Sequence, residues 1–272
     1  MKKSLAILFF TAAVVFAQIQ DQMIKTEYAF AKNAIEVGTR KSFLNFIAND
    51  GILFRPGPVN GKEFLEKSKD RSGFLFWYPS RAAIALAGDM GYTSGPWSFK
   101  NAKDSAEVAF GHFCTIWEKQ NDGSFKFAID YGISHGQLQK KEIALTEAGS
   151  FQKIKNDENK IYPKVNVSDF DSDFSFSKQN LYNDESQLLV DGYFPLYGKE
   201  EIQKFFEKES INKVSYAMIG GKVSMTNDFG FTYGIAILGK TDETKKENYY
   251  FRVWKLNEKN WTILSETWNP KK

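Results

Sequence analysis

Few residues of this chain could do chemistry, and they are far apart. His112 and His135 are the two histidines and Cys114 is the lone cysteine. If 106–119 is a strand, His112, Cys114 and Ile116 share one face, and Phe113, Thr115 and Trp117 share the other. An imidazole facing a pocket could serve as acid or base near neutral pH. Asp130, on the following strand, could orient it if the strands pair about Asn121-Asp122-Gly123. No nucleophile motif accompanies His112, so a hydrogen-bonded core histidine is the competing reading. His135 ends a strand and is expected to be exposed. The two histidines lack metal-ligand spacing, and one cysteine excludes both a Cys-rich metal site and an internal disulfide. No metal and no cofactor are expected.

Binding chemistry has more candidates. Aromatic residues make up 16% of the chain, 25 of them Phe, enough for large cores or an aromatic-lined cavity. Trp77 and Trp97 could line a cavity for an apolar or ring-shaped ligand, with core packing as the alternative. Gly88-Asp89-Met90-Gly91 lacks the strand, glycine loop and helix of a phosphate site and reads as a hairpin turn. Lys+Arg minus Asp+Glu is 36 − 33 = +3 with no strongly basic block, which argues against a nucleic-acid partner.

These residues need elements to position them. Met1-Lys2-Lys3, the apolar run Leu5–Phe16 and the small residues at Val15 and Ala17 form a signal-peptide pattern, with cleavage expected after Ala17. That run is well short of the ~20 residues of a spanning helix. An exported protein follows, periplasmic or extracellular, with no membrane span after cleavage. Ile24, Tyr28, Ala31 and Ile35 form one helical stripe, and Gly38 can end it. Thr39 can cap a second helix carrying Phe43, Leu44 and Ile47. Asn49-Asp50-Gly51 has turn chemistry, Ile52–Phe54 reads as a strand, and Asn60 with Glu63 as the capping box of a short helix through Lys69. Four strands follow, Arg81–Ala87, Gly91–Phe99, Ala106–Lys119 and Ser124–Ser134. This order implies an α+β fold.

The plan then repeats. Gly61-Lys62-Glu63 recurs as Gly198-Lys199-Glu200, a shift of 198 − 61 = 137, which also pairs Trp117 with Trp254. Asp89-Met-Gly91-Tyr-Thr93-Ser-Gly95 recurs as Asp228-Phe-Gly230-Phe-Thr232-Tyr-Gly234, a shift of 228 − 89 = 139. Such an ordered series at near-constant offset marks a duplication. The first unit is read as 18–136, a polar linker as 137–167 with a helix around 141–153, and the second unit as 168–272. Tyr249 is the counterpart of His112, and Tyr216 that of Trp77.

Each unit resembles the SnoaL-like, nuclear-transport-factor-2-like superfamily, and most nearly its group called domain of unknown function 4440. The residues carrying the likeness are Phe43-Leu-Asn-Phe-Ile-Ala-Asn-Asp-Gly-Ile-Leu-Phe-Arg-Pro-Gly-Pro-Val-Asn-Gly-Lys-Glu63, Gly88–Trp97 and Thr115–Asp130. The resemblance implies two cone-shaped (cystatin-like) domains, each a curved, mostly antiparallel sheet wrapped on helices. It also implies pairing through the open sheet faces, here within one chain as a pseudo-dimer. Superfamily enzymes of the ketosteroid-isomerase type carry a carboxylate base before a proline at the end of the first strand. That position is Arg55 here, and a guanidinium cannot abstract a proton, though it could grip an anion. In the second unit Asp191 falls near the same place, as a base or as an Asp-Gly turn. The lining expected for the first unit's pocket is Arg55, Trp77, Trp97 and His112; the catalytic residues are left unknown, with His112, Asp130 and, in the second unit, Asp191 as candidates. The leading expectation is a small, largely apolar ligand or an accessory role. An isomerase, dehydratase or hydrolase and a purely associating domain are the alternatives.

Overall fold

The computed structural model describes residues 3–145, 162, 164–170, 181–240, 245–257 and 260–271, with side chains from Gln20 onward, Ser168 and Lys240 excepted. Helix α1 (Lys3–Val37) seats Met23, Ile24, Glu27, Phe30, Ala31 and Ala34 inward at three- and four-residue spacing. Gly38, with φ of 92°, ends it and opens α2 (Thr39–Phe46). Then come β1 (Ile47–Phe54), β2 (Pro58–Asn60) and α3 (Gly61–Lys67). The Asn60 side chain accepts the Glu63 amide at 3.0 Å, the N-cap half of the expected box. Strands β3 (Phe74–Trp77), β4 (Arg81–Ile84), β5 (Met90–Lys100), β6 (Glu107–Lys119) and β7 (Phe125–His135) complete the first unit.

One reading of this unit needs correction. Asn49-Asp50-Gly51 does not turn the chain. It lies inside β1, where the register on β7 slips between Ile47 and Ile52, so the turn-forming residues make an irregularity in a longer strand. Residues 141–145 carry no helix, and the rest of the helix expected at 141–153 lies outside the described residues.

The second unit follows the same plan through β8 (Gln187–Val190), β9 (Leu196–Tyr197), α4 (Gly198–Lys208), β10 (Ile211–Val223), β11 (Phe229–Lys240), β12 (Lys245–Asn257) and β13 (Asn260–Pro270). The first sheet runs β2-β1-β7-β6-β5-β3, with β4 also on β5, and the second runs β10-β11-β12-β13-β8-β9. The one parallel pair in each is the equivalent one, β1 with β7 and β8 with β13. The long β10 takes the place of β3 and β4 together. Gly95 and Gly234 share a cause. A Cβ at either would stand 2.1 Å from a carbonyl oxygen, Tyr78 O for the first and Ala217 O for the second.

Three cores result. One joins the first sheet to α1, α2 and α3, and another joins the second sheet to α4. The third lies between the sheets and draws Tyr92, Cys114, Ile116, Ile129 and Tyr131 from one unit and Leu189, Phe231, Phe251, Val253 and Leu264 from the other. Polar contacts at this seam are reciprocal. Asp89 Oδ2 accepts the Met225 amide at 2.8 Å, and Asp228 Oδ2 accepts the Leu86 amide at 2.9 Å. The offsets are 225 − 86 = 139 and 228 − 89 = 139, so each hairpin turn binds its counterpart as the counterpart binds it. Asn269 Nδ2 donates to Gly132 O at 2.8 Å, and 269 − 132 = 137. A residue meeting its own equivalent marks a two-fold axis, here internal to one chain.

Candidate functional site

The four residues expected to line the first unit's pocket, Arg55, Trp77, Trp97 and His112, do not share one site. His112 lies on the outer face of β6, beside Cys114, and is fully buried where the units meet. Its Nε2 is 3.0 Å from Glu142 Oε1, and its Nδ1 is 2.7 Å from His135 Nε2. His135 Nδ1 in turn stands 2.5 Å from Gly136 O, which can only accept. This chain of carbonyl, two imidazoles and carboxylate is satisfied when the pair of rings shares one extra proton, opposite Glu142. Burial holds the His135 imidazole below its ordinary value. Ser80 Oγ donates to Glu142 Oε2 at 2.5 Å, and the Tyr197 hydroxyl of the second unit donates to Oε1. Burial pushes the Glu142 carboxyl up, but hydrogen bonds from His112, Ser80 and Tyr197 outweigh it and hold it at about 2. His112 is thus a clasp between the units and the segment after β7.

Asp130 does not orient it. The two strands pair as expected, yet Asp130 lies opposite Thr115 on the helix-facing side, where Thr115 Oγ1 donates to it at 2.7 Å. Burial raises its carboxyl. Asp191 forms the turn after β8, and its Oδ1 accepts the Ser134 amide at 2.9 Å across the seam.

Inside the first unit the prominent acid is Glu27, which sequence reasoning missed. It is fully buried and accepts Trp77 Nε1 at 2.6 Å, Thr93 Oγ1 at 2.5 Å and Trp117 Nε1 at 3.0 Å. Burial lifts its carboxyl to about 7 against these donors. The sequence signal was a carboxylate on the apolar stripe, between Ile24 and Ala31. In the second unit the equivalent place holds a buried ion pair, Arg252 Nε to Glu266 Oε1 at 3.0 Å. Tyr216 and Trp268 donate to the same carboxylate at 2.9 and 2.6 Å. Arg252 and Glu266 face each other across β12 and β13 as Thr115 and Asp130 do across β6 and β7. Trp117 donates to Thr93 and Trp254 to Thr232, each at 2.9 Å. Both inner faces are therefore filled by side chains around a charged or acidic centre.

Open space lies beside the first centre. A groove of about 560 Å³ runs between α1 and the far ends of β3, β5, β6 and β7. Tyr28, Ala31 and Ile35 form one wall, and Trp77, Trp97 and Phe110 line the sheet side. Trp97 is fixed by its Nε1 donating to Ile133 O at 3.1 Å. Trp77 spans both regions, with its ring on the groove and its Nε1 on Glu27. His135 and Lys141 also border the groove, so Glu142 anchors part of its wall through the clasp. Arg55 is elsewhere, on a cavity of about 450 Å³ between α2, α3 and β3.

No protein-family model matches the chain, and no curated protein matches it. Solved structures do. A protein with a cystatin-like fold from Nostoc punctiforme is 8% identical, over 34% of this chain and 73% of that one, with a TM-score of 0.29. An NTF-2-like protein from Shewanella oneidensis is 19% identical, over 41% and 96%, with a TM-score of 0.33. Nuclear transport factor 2 from Cryptosporidium parvum is 12% identical, over 39% and 88%, with a TM-score of 0.29. The α+β architecture of two mixed, mostly antiparallel sheets is fixed by the strand pairing above, independently of these likenesses.

Proposed function

We propose that this chain is an exported binding module of the SnoaL-like, nuclear-transport-factor-2-like superfamily, near the domain of unknown function 4440 group, that holds a small, largely apolar ligand in the α1 groove. The observation carrying this reading is the aromatic wall. Trp77, Trp97 and Phe110 border about 560 Å³ of space, a volume within the range of small-molecule sites. Export is supported by the signal-peptide pattern of residues 1–17.

Catalysis finds less support. His112 is engaged at the seam, Asp191 caps a turn, and the strand-end position of the superfamily base is Arg55. The filled inner faces favour association alone as a second reading.

Native mass spectrometry of protein purified from its own host separates the two. The binding reading expects a retained small molecule that is lost in a Trp97→Ala variant. A protein that leaves its host empty, with Trp97→Ala unchanged in mass and in thermal shift against a metabolite panel, overturns it and favours association.

A further inference from the structure

The cavity that contains Arg55 is distinct from the α1 groove and has a different character. Phe64, Leu75 and Phe99 give it apolar walls, while Arg55, Lys69 and Arg71 bring three cations to its lining. A fourth cation, Arg40, is already matched, since its Nε donates to Asp70 Oδ1 at 2.7 Å and its Nη1 to Leu65 O at 3.2 Å. Among the described residues, no carboxylate hydrogen-bonds Arg55 or Arg71. Arg55 instead donates to its neighbour's carbonyl, Phe54 O, at 2.6 Å and lies 5.7 Å from the Phe64 ring centre. Asp130 attracts it from the inner face without a hydrogen bond between them, its Oδ2 taking the Thr115 hydroxyl, and Arg71 repels it.

Arg55 and Arg71 are both solvent-accessible on the lining of this cavity and neither is hydrogen-bonded to a carboxylate among the described residues, so their donors can meet an anion that enters it. A guanidinium presents paired N–H donors in the geometry of a carboxylate. The aromatic surface then suits an apolar body behind the charged group. We propose that this cavity is an anion site for a small aromatic or apolar carboxylate, with Arg55 and Arg71 gripping the carboxylate and Phe64 and Phe99 packing the body.

Benzoate and its neutral isostere benzamide test this by isothermal titration calorimetry on the full chain. The expected result is saturable benzoate binding at one site, with benzamide weaker by about tenfold or more. Arg55→Gln and Arg71→Gln should each weaken benzoate by about tenfold, and raised salt should weaken it further. Arg71 is exposed, so its variant reports even if Arg55→Gln disturbs the strand end. Trp97→Ala should leave benzoate binding unchanged, which keeps this site separate from the groove. Equal binding of benzoate and benzamide, no saturation up to about 10 mM, or loss on Trp97→Ala with both arginine variants unaffected would each overturn the proposal.

Discussion

Glu27 shows how one carboxyl can govern the pH response of a buried centre. Its folded value of about 7 lies above the ordinary 4.5, so folding takes up a proton between those limits. Its contribution is fully present below about pH 4.5, declines as pH rises, and is gone above about pH 7, a change of about 3 kcal/mol. Glu27→Gln, which mimics the protonated form, should flatten the thermal-melt profile between pH 5 and 8 and raise the melting temperature at the alkaline end. Glu142 behaves in the opposite sense. Its folded value of about 2 lies below the ordinary 4.5, so its stabilisation is present above that value and is lost as pH falls toward 2. Glu142→Gln should cost about 2 kcal/mol at pH 7, and hydrogen exchange should show faster opening across 137–145. Neither acid was equally legible. Glu27 breaks an apolar stripe and could have been flagged, whereas Glu142 sits in a polar run of Lys and Glu with nothing to distinguish it. The face of His112 followed from strand alternation, but not what covered that face, because its partners come from the segment after β7 and from the second unit.

Elements were read best where a local rule fixes them. The Asn60 cap, the Gly38 stop and the hairpin at Gly88-Asp89 each rest on backbone chemistry within a few residues. Asn60→Ala should remove the bond to the Glu63 amide and lower stability by about 1 kcal/mol in chemical denaturation. Reading failed where tertiary pairing overrode the local signal. The turn-type residues 49–51 were absorbed into β1 by its parallel partner β7, and the four-residue β3 was too short to announce itself. Trp77 and Trp97 are direct cross-strand neighbours on β3 and β5, and both border the α1 groove. Arg55 was placed with them in error, since the end of β1 opens on the opposite side of the inner core.

At the scale of the molecule, the duplication explains the seam. Equivalent turns exchange one equivalent hydrogen bond across the seam, but Asp228 Oδ1 also accepts the Ser224 and Thr226 hydroxyls of its own turn, which Asp89 does not match. Asp89→Ala should cost about 1.5–3 kcal/mol, the range for hydrogen bonds to charged groups, and equilibrium unfolding should find the loss larger for Asp228→Ala. Repeat offsets exposed this arrangement in the sequence, but the divergence of the centres did not follow from them. Thr115 and Asp130 correspond to Arg252 and Glu266, so one unit has a hydroxyl donating to a carboxyl where the other holds an ion pair.

The packing of sheet on sheet can be probed without any substitution. Cys114 is the lone thiol, fully buried in the core shared by the two units, with Ser265 of the second unit as its hydrogen-bond partner. Burial pushes that thiol up to about 12. Alkylation of the native chain by iodoacetamide, followed by mass spectrometry, should be slower than in denaturant by about a hundredfold or more. Labelling at the rate of a free, solvent-exposed cysteine would mean that the sheet faces are apart, contradicting the internal pairing on which the account depends.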